Sequence, residues 1–538
     1  MIKQACLLGL MLAACGSEGS GASATTGSTG EPGTGTDAST GSTTDGQGDS
    51  ASPTESTSTG EGAGTESTGG SSSGSTASTS TESTGLESTG STSDASTGAT
   101  TGGDDLPVLC GDETLCDEDA CSGLMLSDQK YAAALRVALD ECGDIILAGR
   151  HRGPEPKLGL PEANGLNDAY VVRMDRAGKL KWSRSFGAVD ESNAATEATL
   201  STLRLGPDGS VFVAGTTYHD FVIDGVACEV DQPTLFMLQL SADGVAQWCK
   251  TLETPNQVVA AYEMVLVDES AVVVGACGDD LGHHEMLVAR VPADGDGEIV
   301  HACTGNGDEA ALFGATVDAG RVVVSGDFLG SLSLGQTQMV AADRDLFIAR
   351  FDPVEWEANA PPPWDFAEQL GGPGLDRARG TARGHDGTIA LVGAATGWAE
   401  CENADGLPKG GYDALFVTFE PDGDGYARTR TLCYGSAADS VGEYPVPLPG
   451  SGFAWQGRDQ GGALFAPPHQ IGPKAGQRFF VATWLEDVGV TATYAPPGND
   501  SVYPKALAVD PLGAVASGGT SEYHMFLLRL RPDLTGGP

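Results

Sequence analysis

Seven times between Leu135 and Gly518 the chain repeats one phrase: two short apolar runs across a Gly/Asp turn, the second closing on a small residue and a glycine. The closing glycines are Gly149 (Ile-Leu-Ala-Gly), Gly215 (Phe-Val-Ala-Gly), Gly275 (Val-Val-Val-Gly), Gly326 (Val-Val-Ser-Gly), Gly393 (Ala-Leu-Val-Gly), Gly457 (Ala-Trp-Gln-Gly) and Gly518 (Val-Ala-Ser-Gly), 51 to 67 residues apart. After each, apolar and polar residues alternate into a further turn, as in Ala169-Tyr-Val-Val-Arg-Met-Asp175 running on to Trp182 and Leu235-Phe-Met-Leu-Gln-Leu240 running on to Trp248. Period-two alternation between Asp-Gly turns is the mark of hairpins, so each unit reads as four antiparallel strands. A lone four-stranded sheet with two apolar faces cannot bury both, so the units must stack face to face, and a closed stack is a β-propeller. The reading is all-β, one propeller over 131–538. Seven landmarks predict seven blades; six or eight stay open because the sixth copy is degenerate and Pro-rich.

The last copy stops after Leu530, one strand short, while Leu124-Met125-Leu126 lies upstream of the first copy. A strand supplied by 106–130 would close the ring and remove its exposed edges.

Charge narrows the partners. Seventy-four acids against 29 bases leave a formal net charge of −45, which repels phosphate backbones and excludes nucleic acid as a partner.

The N-terminal residues 1–14 carry Lys3, a short apolar run and then Leu12-Ala13-Ala14 before Cys15, the polarity pattern of an export signal. Leu-Ala-Ala-Cys resembles the lipobox of bacterial lipoproteins; the alternative is an ordinary secretory signal with a coincidental cysteine. The resemblance implies that Cys15 is lipidated, holding the chain on the outer membrane, either surface-exposed or facing the periplasm. Several acyl chains at about 0.8 kcal/mol per buried methylene anchor stably where one does not. Residues 15–105 then read as a tether: of the 90 residues 16–105, 65 are Ser, Thr or Gly and none is Lys or Arg, so nothing there offsets the entropy of ordering.

Asp168-Ala-Tyr-Val-Val-Arg-Met-Asp-Arg-Ala-Gly-Lys-Leu-Lys-Trp-Ser-Arg-Ser-Phe-Gly187 resembles the SBBP-type β-propeller repeat of bacterial envelope proteins. The likeness spans most of 131–532 and is clear in three or four copies. It implies a propeller lipoprotein without implying an activity.

Setting aside Cys6 and Cys15, ten cysteines remain, an even number suited to an oxidising compartment. Cys228/Cys249, Cys277/Cys303 and Cys401/Cys433 occupy equivalent places, one after the second strand and one on the fourth. They are expected as intra-blade disulfides. Cys110, Cys116, Cys121 and Cys142 form a fourth group of candidates. No Cys-x-x-Cys spacing exists, and no metal site is expected.

Five blade-to-blade connections carry an aspartate: Asp190, Asp308, Asp376, Asp439 and Asp500. The loops after the second strands bring His151, His219 and Asp327 to the same face. The functional reading is a binding face, a calcium-dependent site or a carboxylate pair for glycan chemistry. The architectural reading is that Asp satisfies backbone N–H groups in tight turns. Asp294-Gly-Asp-Gly and Asp422-Gly-Asp-Gly look calcium-like but lack the rest of an EF-hand loop and fit hairpin turns better. No catalytic residue and no cofactor is assigned, calcium being the one ion weighed. The expectation is a monomeric, non-catalytic binding or scaffold module for a protein or glycan. Its rivals are a carbohydrate-active enzyme using the acidic face and an outer-membrane assembly factor.

Overall fold

The computed structural model describes Leu124–Met125 and residues 132–530, except 188–197, 231, 253, 255–257, 279–283, 306–308, 359, 397–400, 403–410, 436–437, 461–464, 466–477, 496–501 and 522–523. The signal segment, Cys15 and the tether lie outside the described residues, as do Cys110, Cys116 and Cys121.

Seven four-stranded antiparallel sheets form seven blades: 133–186, 198–252, 258–304, 309–370, 377–434, 440–494 and 502–530. The seventh takes its outermost strand from Leu124–Met125, which pairs antiparallel with His524–Leu530 (Leu124 opposite Leu527, Met125 opposite Phe526). The first strands of consecutive blades lie side by side all the way round, blade 7 against blade 1 included. They therefore surround a central axis, and the ring is closed by one chain end meeting the other.

The glycine landmark has a local cause. In every blade the innermost strand carries a β-bulge: Leu135, Ser201, Tyr262, Phe313, Arg379, the pair Tyr444-Pro445, and Lys505 are left without a partner on the second strand. The bulge pushes the carbonyl two residues before it toward the second strand. A Cβ on Gly215 would lie 1.9 Å from the Thr199 oxygen, and one on Gly393 2.1 Å from that of Arg377. Only glycine fits. In the seventh copy this constraint falls on Gly519, whose Cβ would lie 2.3 Å from the Tyr503 oxygen, and not on Gly518, which meets nothing closer than 3.4 Å. The landmark in that copy is thus one residue later than the sequence pattern suggests, because two glycines stand together there.

Apolar residues bury themselves between blades rather than inside them. Seven clusters of buried side chains each join two neighbouring blades; one joins Leu147, Tyr170 and Val172 of blade 1 to Ala516, Met525 and Leu527 of blade 7. Full burial of a Val, Leu or Phe contributes about 1.5–3 kcal/mol, so each seam rests on a dozen or so such terms. Insertions after the second strand wedge into these seams. The hairpin Phe221–Ile223/Val226–Cys228 does so between blades 1 and 2. The extended strands Arg321–Leu334 and Thr337–Phe351 bring Leu332, Leu334 and Met339 into the seam between blades 3 and 4.

One face, the turn face, carries the connections between first and second and between third and fourth strands. Here Trp182 donates to the Ala242 carbonyl at 2.9 Å and Trp248 to that of Ala293 at 3.3 Å, each reaching the next blade's third-to-fourth turn. The turn glycines Gly244 and Gly295 have positive φ (78° and 77°), and their missing Cβ atoms would strike Trp182 and Trp248 at 2.6 and 2.4 Å. Both tryptophans therefore join blades while packing against the seam clusters.

Arginines at one recurring position on the third strand reach the same turns. Arg173 bonds the Ala242 carbonyl, Arg290 that of Pro353, Arg350 that of Asp424 and Arg529 that of Arg176. The last crosses the closing seam from blade 7 to blade 1.

Candidate functional site

The opposite face, the loop face, carries the second-to-third connections and the blade-to-blade crossings. It holds those sequence-predicted candidates that are described, and their surroundings differ. Asp190, Asp308 and Asp500 lie outside the described residues. Asp376 is fully buried and accepts from the backbone N–H groups of Gly372 (2.9 Å) and Thr396 (3.0 Å), tying the crossing to the end of the next blade's second strand. Burial lifts its carboxyl to about 6, partly offset by those two bonds. Asp439 accepts from the Tyr412 N–H at 3.0 Å. Asp376 and Asp439 do not stand at equivalent places: the N–H of Asp376 and that of Ser440 make the same bond, to the carbonyls of Arg344 and Tyr412. The aspartate thus shifts by one residue between crossings.

His151 is fully buried, bonded to the Gly153 carbonyl at 2.9 Å and to Ser185 Oγ at 2.7 Å, and edge-on to Tyr170. His219 is exposed, its backbone N–H and carbonyl meeting the Thr217 hydroxyl. Asp168, which opens the repeat signature, accepts from the N–H groups of Asn164 and Gly165 and packs against Gly187, where a Cβ would lie 2.2 Å from its Oδ1. Asp345 faces Gly371 and Asp413 faces Gly435 in the same way. The Asp at the start of the third strand and the Gly after the fourth are one interlocking pair.

A charge cluster spans blades 4 and 5. Asp327, 2 % exposed, accepts from Arg344 at 2.6 Å, and Arg344 also pairs with Glu309. Burial raises the Asp327 carboxyl, against the pull of Arg344, Arg379 and Arg377. Arg377 lies over the Tyr412 ring at 5.7 Å and Arg379 over Phe313 at 5.6 Å, both cation–π geometries.

Toward the axis lies a feature that sequence reasoning missed. Arg136 of blade 1 donates to the carbonyl of Tyr262 in blade 3 at 2.8 Å and to that of Lys505 in blade 7 at 3.2 Å. Its guanidinium also lies 5.2 Å from the centre of the Tyr444 ring of blade 6. One side chain touching blades 3, 6 and 7 from blade 1 must lie on the axis itself. Tyr262 stacks on Phe313 at 5.0 Å, so the bulge residues form a collar around it. The bulge that demands the glycine is the signal that marks them.

Three disulfides pin the second strand or the connection after it to the fourth strand: Cys228–Cys249, Cys277–Cys303 and Cys401–Cys433, with Cα atoms 5.5, 6.0 and 5.6 Å apart. All three are intra-blade. Cys277 lies on the second strand (Ser270–Gly278) rather than after it, and Cys228 sits in the inserted hairpin. Cys142 is also disulfide-bonded. Asp294–Gly297 and Asp422–Gly425 are third-to-fourth turns on the turn face. No group of three or more His, Cys, Asp or Glu with metal-binding geometry occurs among the described residues. Nor is any helix there long and apolar enough to cross a membrane.

No family model and no curated protein matches the chain. Solved structures similar to it include a polysaccharide lyase described as an ulvan lyase, at 11 % identity and TM-score 0.43 over 77 % of this chain and 96 % of that one. The β-propeller domain of the Trilobed protease from Pyrococcus furiosus matches at 10 % identity and TM-score 0.37, over 74 % and 92 %. A virginiamycin B lyase from Staphylococcus aureus matches at 12 % identity and TM-score 0.32, over 62 % and 96 %. The fold is a seven-bladed β-propeller.

Proposed function

We propose that this chain is an SBBP-type envelope lipoprotein, held on the outer membrane through Cys15 and a long tether, whose propeller is a non-catalytic module binding a protein or glycan through its loop face. The observation that carries the binding reading is the state of the candidate acids. Asp327, Asp376 and Asp439 are held by Arg344 and by backbone N–H groups, so they shape loops rather than wait as an acid–base pair. The disulfides support an oxidising compartment and hold the loops on a rigid frame, where recognition usually sits. Palmitate labelling of cells expressing the chain tests the anchor. Label that disappears in Cys15→Ala is expected; label that persists, or never forms, overturns it. A glycan array and crosslinking from loop-face positions test the module, and capture of neither glycan nor protein would refute it.

A second reading, a carbohydrate-active enzyme, draws on Asp413, whose Oδ1 is buried with no hydrogen-bond partner among the described residues and whose carboxyl burial lifts to about 6, where a general acid works. Release of new reducing ends from an envelope or environmental polysaccharide, abolished in Asp413→Asn, would favour it.

A further inference from the structure

We propose that Ser185 is an activated nucleophile that takes one acyl group from an uncharged carboxylic ester, with His151 as its base. This goes beyond the binding reading and does not depend on it. The geometry fixes the proton. His151 Nδ1 lies 2.9 Å from the Gly153 carbonyl, which can only accept, so this nitrogen carries the hydrogen. In the neutral ring Nε2 is then an acceptor, and the Ser185 hydroxyl, 2.7 Å away, donates to it. A second acceptor, Asp168 Oδ2, lies farther from that hydroxyl, at 3.4 Å. A nucleophile, a base bonded to it and a third group holding the base make up the arrangement that activates serine. The imidazole is fully buried and edge-on to Tyr170, which fixes its orientation, whereas Ser185 on the fourth strand keeps part of its surface exposed.

In blade 3 the same two positions carry a disulfide. Cys277 follows Gly275 as His151 follows Gly149, and Cys303 faces Leu287, the partner of Gly275, as Ser185 faces Tyr170, the partner of Gly149. The fold thus brings these positions into contact whatever they carry, and only blade 1 fills them with a base and a hydroxyl. In the reaction the bond from Ser185 Oγ to the ester carbon forms and the bond from that carbon to the alcohol oxygen breaks. The hydroxyl proton passes to His151 Nε2 and from there to the leaving oxygen. The Asp168 carboxylate, opposite His151 in register, offsets the cost of the buried imidazolium formed in between. Asn164 Nδ2 donates to the same carboxylate at 3.1 Å and brings its second N–H to the oxygen that turns negative. With Asp168 adjacent and a net charge of −45, an anionic donor is repelled, which selects uncharged esters.

The test is p-nitrophenyl acetate added to the full chain in detergent, with nitrophenolate release followed by absorbance and acetylated peptides quantified by mass spectrometry. Ser185 should acetylate at least about a hundredfold faster than the serines of residues 16–105, the low end of what a positioned base supplies. His151→Gln, its melting temperature checked, should bring Ser185 down to the rate of those serines. If that variant does not fold, the parent chain in urea is read instead, and Ser185 should fall to the same rate there. His151→Cys/Ser185→Cys, which closes the contact as blade 3 does, should lose the initial burst of nitrophenolate in a folded chain. Ser185 reacting no faster than the serines of residues 16–105, undiminished labelling in folded His151→Gln or in urea, or a burst that survives in the double-cysteine variant overturns the proposal.

Discussion

The two faces of the wheel use the same repeat for different ends. On the turn face, third-strand arginines and fourth-strand tryptophans grip the next blade's turn carbonyls, from blade 1 to 2, 2 to 3, 3 to 4, 4 to 5 and 7 to 1. On the loop face the bonds stay mostly within a crossing or a blade: backbone N–H to Asp376 and Asp439, disulfides from loop to fourth strand, Asp327 to Arg344. One face holds the ring together, and the other holds individual loops in shape. Substitutions on the turn face should therefore loosen the whole assembly, and those on the loop face should act one blade at a time.

The strongest way to break this contrast is at the closing seam. Arg529, 4 % exposed, pairs with Asp510 at 3.2 Å and donates to the Arg176 carbonyl at 2.7 Å across blades 7 and 1. Arg529→Ala leaves buried Asp510 with the N–H groups of Leu512 and Ala514 and with Arg176 at 4.0 Å, but removes its closest cation and the bond across the seam. It should cost about 2–3 kcal/mol in chemical denaturation, with the first protease cuts near the seam. Its loop-face counterpart, Arg458→Ala, loses a single pair with Glu443 and should cost less. A similar loss from both would erase the distinction between the faces.

Comparable in size is a loop-face bridge. Cys228→Ser/Cys249→Ser opens a loop of sequence separation 21, which on the chain-entropy model lowers stability by about 3 kcal/mol. The effect should stay in blade 2, read as faster hydrogen exchange there and unchanged exchange at the blade 7–1 seam. Protection lost all round the ring would show the loop face to be as load-sharing as the turn face.

A smaller effect separates packing from backbone strain at two turn glycines of blade 2. Gly244 and Gly225 both sit at positive φ, 78° and 87°. A Cβ at Gly244 strikes the Trp182 ring at 2.6 Å, whereas at Gly225 it meets nothing within 4 Å. Gly225→Ala should cost about 1 kcal/mol from backbone strain alone. Gly244→Ala should cost that plus about 1–2 kcal/mol for displacing the tryptophan. Equal losses in thermal melts would mean that Trp182 swings aside and that its bond to blade 2 matters little.

How much of this was legible beforehand follows from range. Blade count, strand order and the closing strand from Leu124–Met125 could be read because alternation and turn chemistry are local, and because a ring must close. Gly519 was missed because Gly518-Gly519 hides which residue faces the Tyr503 carbonyl, a matter of three-dimensional register. Trp182 and Trp248 recur like core residues, and only coordinates reveal the next blade's Gly244 and Gly295 against them. Arg136 gave no signal at all: its partners Tyr262, Tyr444 and Lys505 lie on three other blades, 126 to 369 residues away. Among the acids, position in the repeat places Asp327, Asp376 and Asp439 near the second-to-third connections and crossings, but which carboxylates are buried depends on crossings whose register slips by one residue.

The smallest expected effect is the most specific to the loop face. Asp413 Oδ1 is buried beside Gly435 with no hydrogen-bond partner among the described residues, and burial lifts its carboxyl from 3.8 to about 6. Between those two values the folded state holds a proton that the unfolded chain has released, so this group makes stability fall as pH rises from about 4 to 6 and leaves the loss in place above 6. Asp413→Asn removes the charge without changing the shape. It should match the parent near pH 4 and exceed it by about 1 kcal/mol at pH 7.5, after allowing for solvent screening of a partly exposed group. Urea titrations at the two pH values read the difference directly. A variant that instead loses stability at pH 7.5 would mean that the ionised carboxylate is held by a cation or donor on the loop face, which would turn this position from a structural wedge into a candidate for the binding surface.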